Sequence, residues 1–279
     1  MSNMKKVKKI MVLFLCAMLI TVPVFTETAS AAATKTTSAS ARKGWYRLKN
    51  GNKKYFKNGK YLTGCQKIGK NVYLFNKYGV LMKKDTAYKG IMYYIDNRAH
   101  VEGWKKGSVY YYKNGTRMGK YKTQEFRAYQ NAKDVVDRVT TPKMSKSQKL
   151  EACFRWVMSK YYHTWRRFDQ GGAAWYAVQA NDHFERGCGD CIADASAFAY
   201  LAKVLGYTNV YICADAPRSD DDAHAWTEIN GRVYDPLFAE AKSYSRNYNV
   251  SYGVYILSPE FKKSLPKNVI TKNHNKGNK

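Results

Sequence analysis

Gly187-Cys188-Gly189-Asp190-Cys191-Ile192-Ala193-Asp194-Ala195 decides how the second half of this chain is read. Small and apolar residues continue from it to Gly206, a residue suited to the left-handed turn that closes a helix. Asp190 is placed to cap that helix, which puts Cys191 in its first turn. Unsatisfied N–H groups and the positive end of the helix dipole gather there, and both favour a thiolate, the nucleophilic form of cysteine. Ala193, Ala195, Ala197, Ala199 and Ala202 leave room for other elements to approach closely.

Upstream, Leu150, Cys153, Phe154, Val157, Met158 and Tyr161 fall on one helical face, with Ser145 and Gln148 as a capping box ahead of them. Phe126, Tyr129, Val136 and Val139 predict another amphipathic helix that ends before Pro142. Downstream, residues 210–213, 223–229 and 232–235 read as strands, the last two joined by Asn230-Gly231, a two-residue hairpin signal. If Ile229 opposes Arg232, then Trp226 opposes Asp235, and His224 and Asp235 are diagonal neighbours on one face of the sheet. A three-residue loop would reverse that parity. Cys191, His224 and Asp235 are therefore the candidate nucleophile, base and orienting carboxylate of a thiol acyl transfer, with the Cys191 backbone N–H as oxyanion donor.

Gly189-Asp190-Cys191 opening a helix, Ala223-His224-Ala225-Trp226 on a strand and Tyr234-Asp235-Pro236 ending the next resemble the transglutaminase-like superfamily. The resemblance implies a papain-like α+β domain over residues 122–265, with Cys191 as nucleophile, His224 as general base and acid, and Asp235 as orienter. It also implies a protein or peptide amide substrate and a thioester intermediate, resolved by water in a peptidase or amidase and by a Lys amine in a cross-linking enzyme. No cofactor or metal is expected. Cys188-x-x-Cys191 with His183 and Cys153 or Cys213 would suit zinc, but no second well-spaced ligand pair accompanies it. A Cys188–Cys191 redox pair would leave His224 and Asp235 without a purpose. The run Asp220-Asp221-Asp222 suits calcium less well than a solvated acidic loop. The reading from another class is a non-catalytic adhesin or scaffold that keeps the fold and lacks the activity.

The first half has different chemistry. Residues 42–125 hold 21 Lys and Arg against 4 Asp and Glu, and residues 126–279 hold 22 against 16, so the formal +27 of the 279-residue chain is concentrated at the front. Such a surface selects anionic partners. Tyr55-Phe56-Lys57-Asn58-Gly59, Tyr73-Leu74-Phe75-Asn76-Lys77-Tyr78-Gly79, Tyr93-Tyr94-Ile95-Asp96-Asn97-Arg98-Ala99 and Tyr111-Tyr112-Lys113-Asn114-Gly115 recur about every twenty residues. Each is an aromatic strand followed by a turn, and stacked hairpins over residues 42–121 are the expected architecture. With Gly44-Trp45, Met82 and Met118, these units resemble the choline-binding type of cell-wall-binding repeat; Cys65 stands where a Trp would follow Thr63-Gly64, and Ala99 where a turn glycine would stand. The resemblance implies an anionic wall polymer or a choline-like wall group as partner, with Trp45, Tyr55, Phe56, Tyr73, Tyr94, Trp104 and Tyr111 as candidate contacts.

Lys5, Lys6, Lys8 and Lys9, the apolar run 10–25 and Ala29-Ser30-Ala31 form a signal-peptide pattern over residues 1–31. The apolar run is 16 residues, short of the roughly 20 that span a bilayer. Residues 32–41 read as a linker and 266–279 as a basic polar tail. Cleavage would leave a secreted, cell-wall or surface protein with no membrane span, distant from intracellular nucleic acid, and with five cysteines, of which an odd one must stay unpaired within the chain. A hydrophobic fraction of 45% with 25% charged residues excludes wholesale disorder and a multi-span membrane protein.

Overall fold

The computed structural model describes residues 42–167, 172–216 and 223–266. The expected leader and linker, the acidic run at 220–222 and the tail beyond Pro266 lie outside the described residues.

Antiparallel hairpins build the front half. Strands β1 (Gly44–Arg47), β2 (Lys53–Lys57) and β3 (Lys60–Tyr61) form one sheet, β4 (Gly64–Ile68) and β5 (Asn71–Phe75) a second, and β6 (Thr86–Tyr88), β7 (Ile91–Ile95), β8 (Val101–Lys106) and β9 (Val109–Tyr112) a third. Asn58 (φ 51°) and Gly59 (φ 75°) supply the two left-handed residues that a two-residue hairpin requires. Three longer turns share another device, a side-chain oxygen that accepts N–H groups further along the loop. Asn76 Oδ1 takes those of Tyr78 and Val80, Asp96 Oδ1 those of Arg98 and His100, and Asn114 Oδ1 that of Thr116. Ala99 adopts φ 65° where glycine was expected, a conformation that costs an alanine roughly 1–2 kcal/mol. Its methyl group offsets this by entering the core formed with Leu74, Phe75, Ile95 and Val101.

The back half is α+β. Helices α1 (Lys120–Val139), α2 (Lys146–Met158), α3 (Trp175–Arg186) and α4 (Cys191–Val204) pack beside an antiparallel sheet ordered β13-β12-β11-β10-β14. Its strands are β10 (Val210–Ala214), β11 (Ala225–Ile229), β12 (Arg232–Tyr234), β13 (Tyr248–Val250) and β14 (Phe261–Ser264). Short helices α5 (Pro236–Ala241) and α6 (Tyr244–Asn247) join β12 to β13. Every residue of α4 from Ile192 to Ala202 is buried, the pattern of a helix enclosed on all sides. Its alanines let α3, α1 and α2 close in, and Thr227 Oγ1 donates to the Ala195 carbonyl at 2.8 Å, tying β11 to it.

Most local expectations are matched. Ser145 and Gln148 form the capping box of α2, and Ile229 opposes Arg232 with Thr227 opposite Tyr234. Tyr161 differs: α2 ends at Met158, and Tyr161 lies beyond it, exposed to solvent.

Helix α1 also closes the seam between the halves. Phe126 packs edge-on against Tyr94 and Tyr110, with ring centroids 5.2 and 6.0 Å away. Gly103 allows this approach, since a Cβ there would lie 3.1 Å from the Phe126 ring and 2.6 Å from the Tyr111 carbonyl oxygen. Lys133 Nζ donates to the Ile95 carbonyl at 3.0 Å and meets Glu102 at 3.2 Å. Phe126→Ala should cost about 3 kcal/mol through the cavity it leaves, read as a lower urea midpoint followed by tryptophan fluorescence.

Candidate active site

The position of Cys191 follows from the cap. Asp190, in extended conformation, accepts the Ala193 N–H on Oδ1 at 3.0 Å, so α4 begins at Cys191. The loop ahead of it is tightly held. Gly189 has no room for a side chain, because a Cβ would lie 2.6 Å from the Ala193 Cβ and 3.0 Å from His183 Nδ1. Its carbonyl accepts the His163 N–H at 2.9 Å, and the Trp165 indole N–H donates to the Cys188 carbonyl at 3.1 Å. The Cys191 sulfur rests against the backbone on both sides of His224, 3.7 Å from the Ala223 oxygen and within reach of the Ala225 N–H.

His224 sits one residue ahead of β11, and its position is fixed from three directions. Its backbone N–H donates to Asp215 Oδ1 at 2.7 Å. Its ring stacks on Phe238 at 3.8 Å and 12°, while Lys242 Nζ lies 3.5 Å from the same ring centre. Its Nε2 meets Asp235 Oδ2 at 2.7 Å. Asp235 is fully buried and uses both oxygens: Oδ1 accepts the Phe238 N–H at 3.0 Å as the cap of α5, and Oδ2 accepts the Tyr255 hydroxyl at 2.7 Å. A carboxylate in that position makes Nε2 the protonated nitrogen and leaves the Nδ1 lone pair free to act as a base.

The electrostatics of the thiol differ from the sequence expectation. Burial, followed by the nearby Asp190, pushes Cys191 up to about 12; the Ala225 N–H opposes this, and Asp235 and Asp194 add to it. Desolvation and three carboxylates thus push the thiol up, the opposite direction to that expected from a helix start alone. Two further features had no signal in the sequence. Tyr255 belongs to no motif, and His183 meets Asp194 at 2.9 Å directly beneath Gly189, both side chains buried. Burial pushes Asp194 up to about 6 against the opposing effect of His183.

All five described cysteines are free thiols, and among the described residues no group of three His, Cys, Asp or Glu side chains converges as a metal site. In the front half, Trp45 packs edge-on against Tyr55 and Tyr73 at 5.2 and 5.0 Å, and Trp104 stacks with Tyr111 at 6.1 Å. Phe56 is buried, and Tyr94 lies in the seam with α1.

Residues 133–237 match the Transglutaminase-like superfamily. The C-terminal domain is transglutaminase-like. Cys191, His224 and Asp235 all fall within the matched span of this transglutaminase-like domain. On the N-terminal region, the solved structures that match include a choline-binding domain from Streptococcus pneumoniae. It is 21% identical, covers 22% of this chain and 92% of its own length, and has a TM-score of 0.20. Choline binding protein F from the same organism is 28% identical over 28% of this chain and 28% of its own, with a TM-score of 0.22. No curated protein matches. Among the described residues no helix is long and apolar enough to cross a membrane.

With the thiol pushed so high, alkylation of Cys191 by iodoacetamide should rise about tenfold per pH unit from pH 7 to 9, because the thiolate fraction does. A plateau in that range would mean a thiolate already formed. Asp190→Asn keeps a capping side chain and removes the nearest negative charge, so it should speed alkylation at pH 7.

Proposed function

We propose that this protein is a cell-wall-associated cysteine acyltransferase or amidase that uses Cys191, His224 and Asp235. The observation that carries the reading is the His224 Nε2–Asp235 contact of 2.7 Å beside a cysteine at the start of a buried helix. The free Nδ1 of His224 takes the thiol proton as the sulfur attacks the amide carbonyl, which avoids any need for a resting thiolate. Asp235 holds the tautomer and stabilises the imidazolium that forms. The negative oxygen of the tetrahedral intermediate is received by the Cys191 N–H, because the Asp190 carboxylate takes those of Ile192 and Ala193 instead. Collapse passes the proton from His224 to the departing amine and leaves a thioester. Water or a Lys amine then releases the acyl group.

The front module retains the enzyme at the wall. Its support is the excess of 21 basic over 4 acidic residues in 42–125, together with the exposed aromatic side chains Trp45, Tyr46, Tyr61 and Tyr78. An anionic polymer is the favoured partner over a choline-like group. Arg42 already lies over the Tyr46 and Phe56 rings, Lys54 over Tyr61 and Lys105 over Tyr110, so these four ring faces carry a cation of the chain's own. The scaffold reading draws on one observation, the raised Cys191 thiol.

An activated ester separates the two readings without knowledge of the substrate. p-Nitrophenyl acetate should acetylate Cys191, found by peptide mapping, with a burst of p-nitrophenolate. The adduct should be absent in Cys191→Ala and form about 100-fold more slowly in His224→Ala. An ester that leaves Cys191 unmodified favours the scaffold. Retention on purified walls should fall steeply as salt rises and resist free choline at constant ionic strength; elution by choline alone would reverse that assignment.

A further inference from the structure

The exposed large apolar side chains of the C-terminal domain gather around the candidate site. In the described part of that domain they are Tyr121, Tyr161, Tyr162, Val254 and Ile256. All but Tyr121 flank it. Tyr161 and Tyr162, 66% and 60% exposed, precede the His163 N–H that binds Gly189, two residues from the nucleophile. Val254 and Ile256, 47% and 63% exposed, bracket Tyr255, whose hydroxyl holds Asp235. One bank is thus tied through the backbone to the loop ahead of Cys191, and the other through Tyr255 to the carboxylate behind His224.

The first bank also has an open strand edge. Tyr162 forms a parallel bridge with Gly189, in which the neighbouring residues face Gly189 and the N–H and C=O of Tyr162 itself point the other way. Among the described residues no group pairs with either. Exposed backbone of this kind accepts another strand. The segment itself is basic: residues 160–167 carry Lys160, Arg166 and Arg167 and no carboxylate. Arg166 and Arg186, both exposed, share the single buried carboxylate of Asp182.

We propose that the outer edge at Tyr162 docks the acyl substrate, an extended peptide bearing acidic side chains, by strand addition. Its apolar side chains lie against Tyr161 and Tyr162 on one side and Val254 and Ile256 on the other, and its carboxylates meet Arg166 and Arg186. This inference rests on the assignment of Cys191 as the acylated residue.

Peptidyl chloromethyl ketones test it, since the sulfur displaces chloride and forms a stable C–S bond whatever the natural acceptor. Three reagents of equal length are compared by mass-spectrometric loss of the Cys191 thiol at pH 8: an acidic peptide, its backbone N-methylated form and its Lys counterpart. The acidic peptide should react about tenfold faster than either. Tyr162→Pro, which removes the outward N–H, should erase the advantage over the N-methylated reagent. Tyr162→Ala, which keeps that N–H, should retain most of it, with each variant's own iodoacetamide rate as the reference against which its peptide rates are compared. Equal rates for the three reagents, with iodoacetamide still labelling Cys191, would overturn the docking edge and leave acyl transfer standing. A preference for acid with no effect of N-methylation would overturn strand addition. A Cys191 inert to every reagent up to pH 9 would overturn both the edge and the nucleophile.

Discussion

The buried carboxylate of Asp235 is the constraint on which the rest of the site depends. A carboxylate with no exposure to water needs hydrogen-bond donors around it to replace the solvent it has lost. Here the donors come from three different elements: the imidazole ahead of β11, the first turn of α5, and the hydroxyl of Tyr255 from the segment after β13. Its own N–H is bound to the Asn247 carbonyl at 2.8 Å. One side chain thus aligns the His224 imidazole, starts a helix and secures the segment that carries Val254 and Ile256. A site built in this way is a product of the whole sheet rather than of a loop.

The parts of the structure that were legible in the sequence are those governed by local rules. Asn230-Gly231 specifies a two-residue turn, the turn sets the register, and parity then brings His224 to Asp235. Asp190 and the capping box at Ser145 are likewise short-range signals. Helix α3 was not legible, because its buried face includes the polar residues Gln179, Asn181, Asp182 and His183, which give no apolar periodicity. Their partners lie far away in the chain: Asn181 reaches the Gln124 carbonyl and Asn131, and Asp182 pairs with Arg166. The charge state of the thiol was missed for a related reason. Cys191 at a helix start suggests a thiolate, yet the extent of its burial and the approach of Asp235 emerge only when sheet and helix are packed together.

The repeats illustrate how a pattern survives a substitution. Asn76, Asp96 and Asn114 perform the same service in successive loops, accepting backbone donors that the turn would otherwise strand. Ala99 breaks the glycine rule within that pattern and is tolerated because its methyl group is enclosed by the neighbouring hairpin core. The side-chain oxygen, more than the glycine, is the constant element of these turns.

Helix α1 gives the molecule a mechanical character. Seven residues separate it from the last repeat strand; it presses Phe126 into the final hairpins and continues into the packing around α4. No slack tether separates the two halves, so whatever surface the hairpins grip also sets the height and bearing of the cysteine's mouth. In the proposed function the module acts as a fixed arm, and acyl groups held at one stand-off from the anchored surface are the ones that come within reach of Cys191.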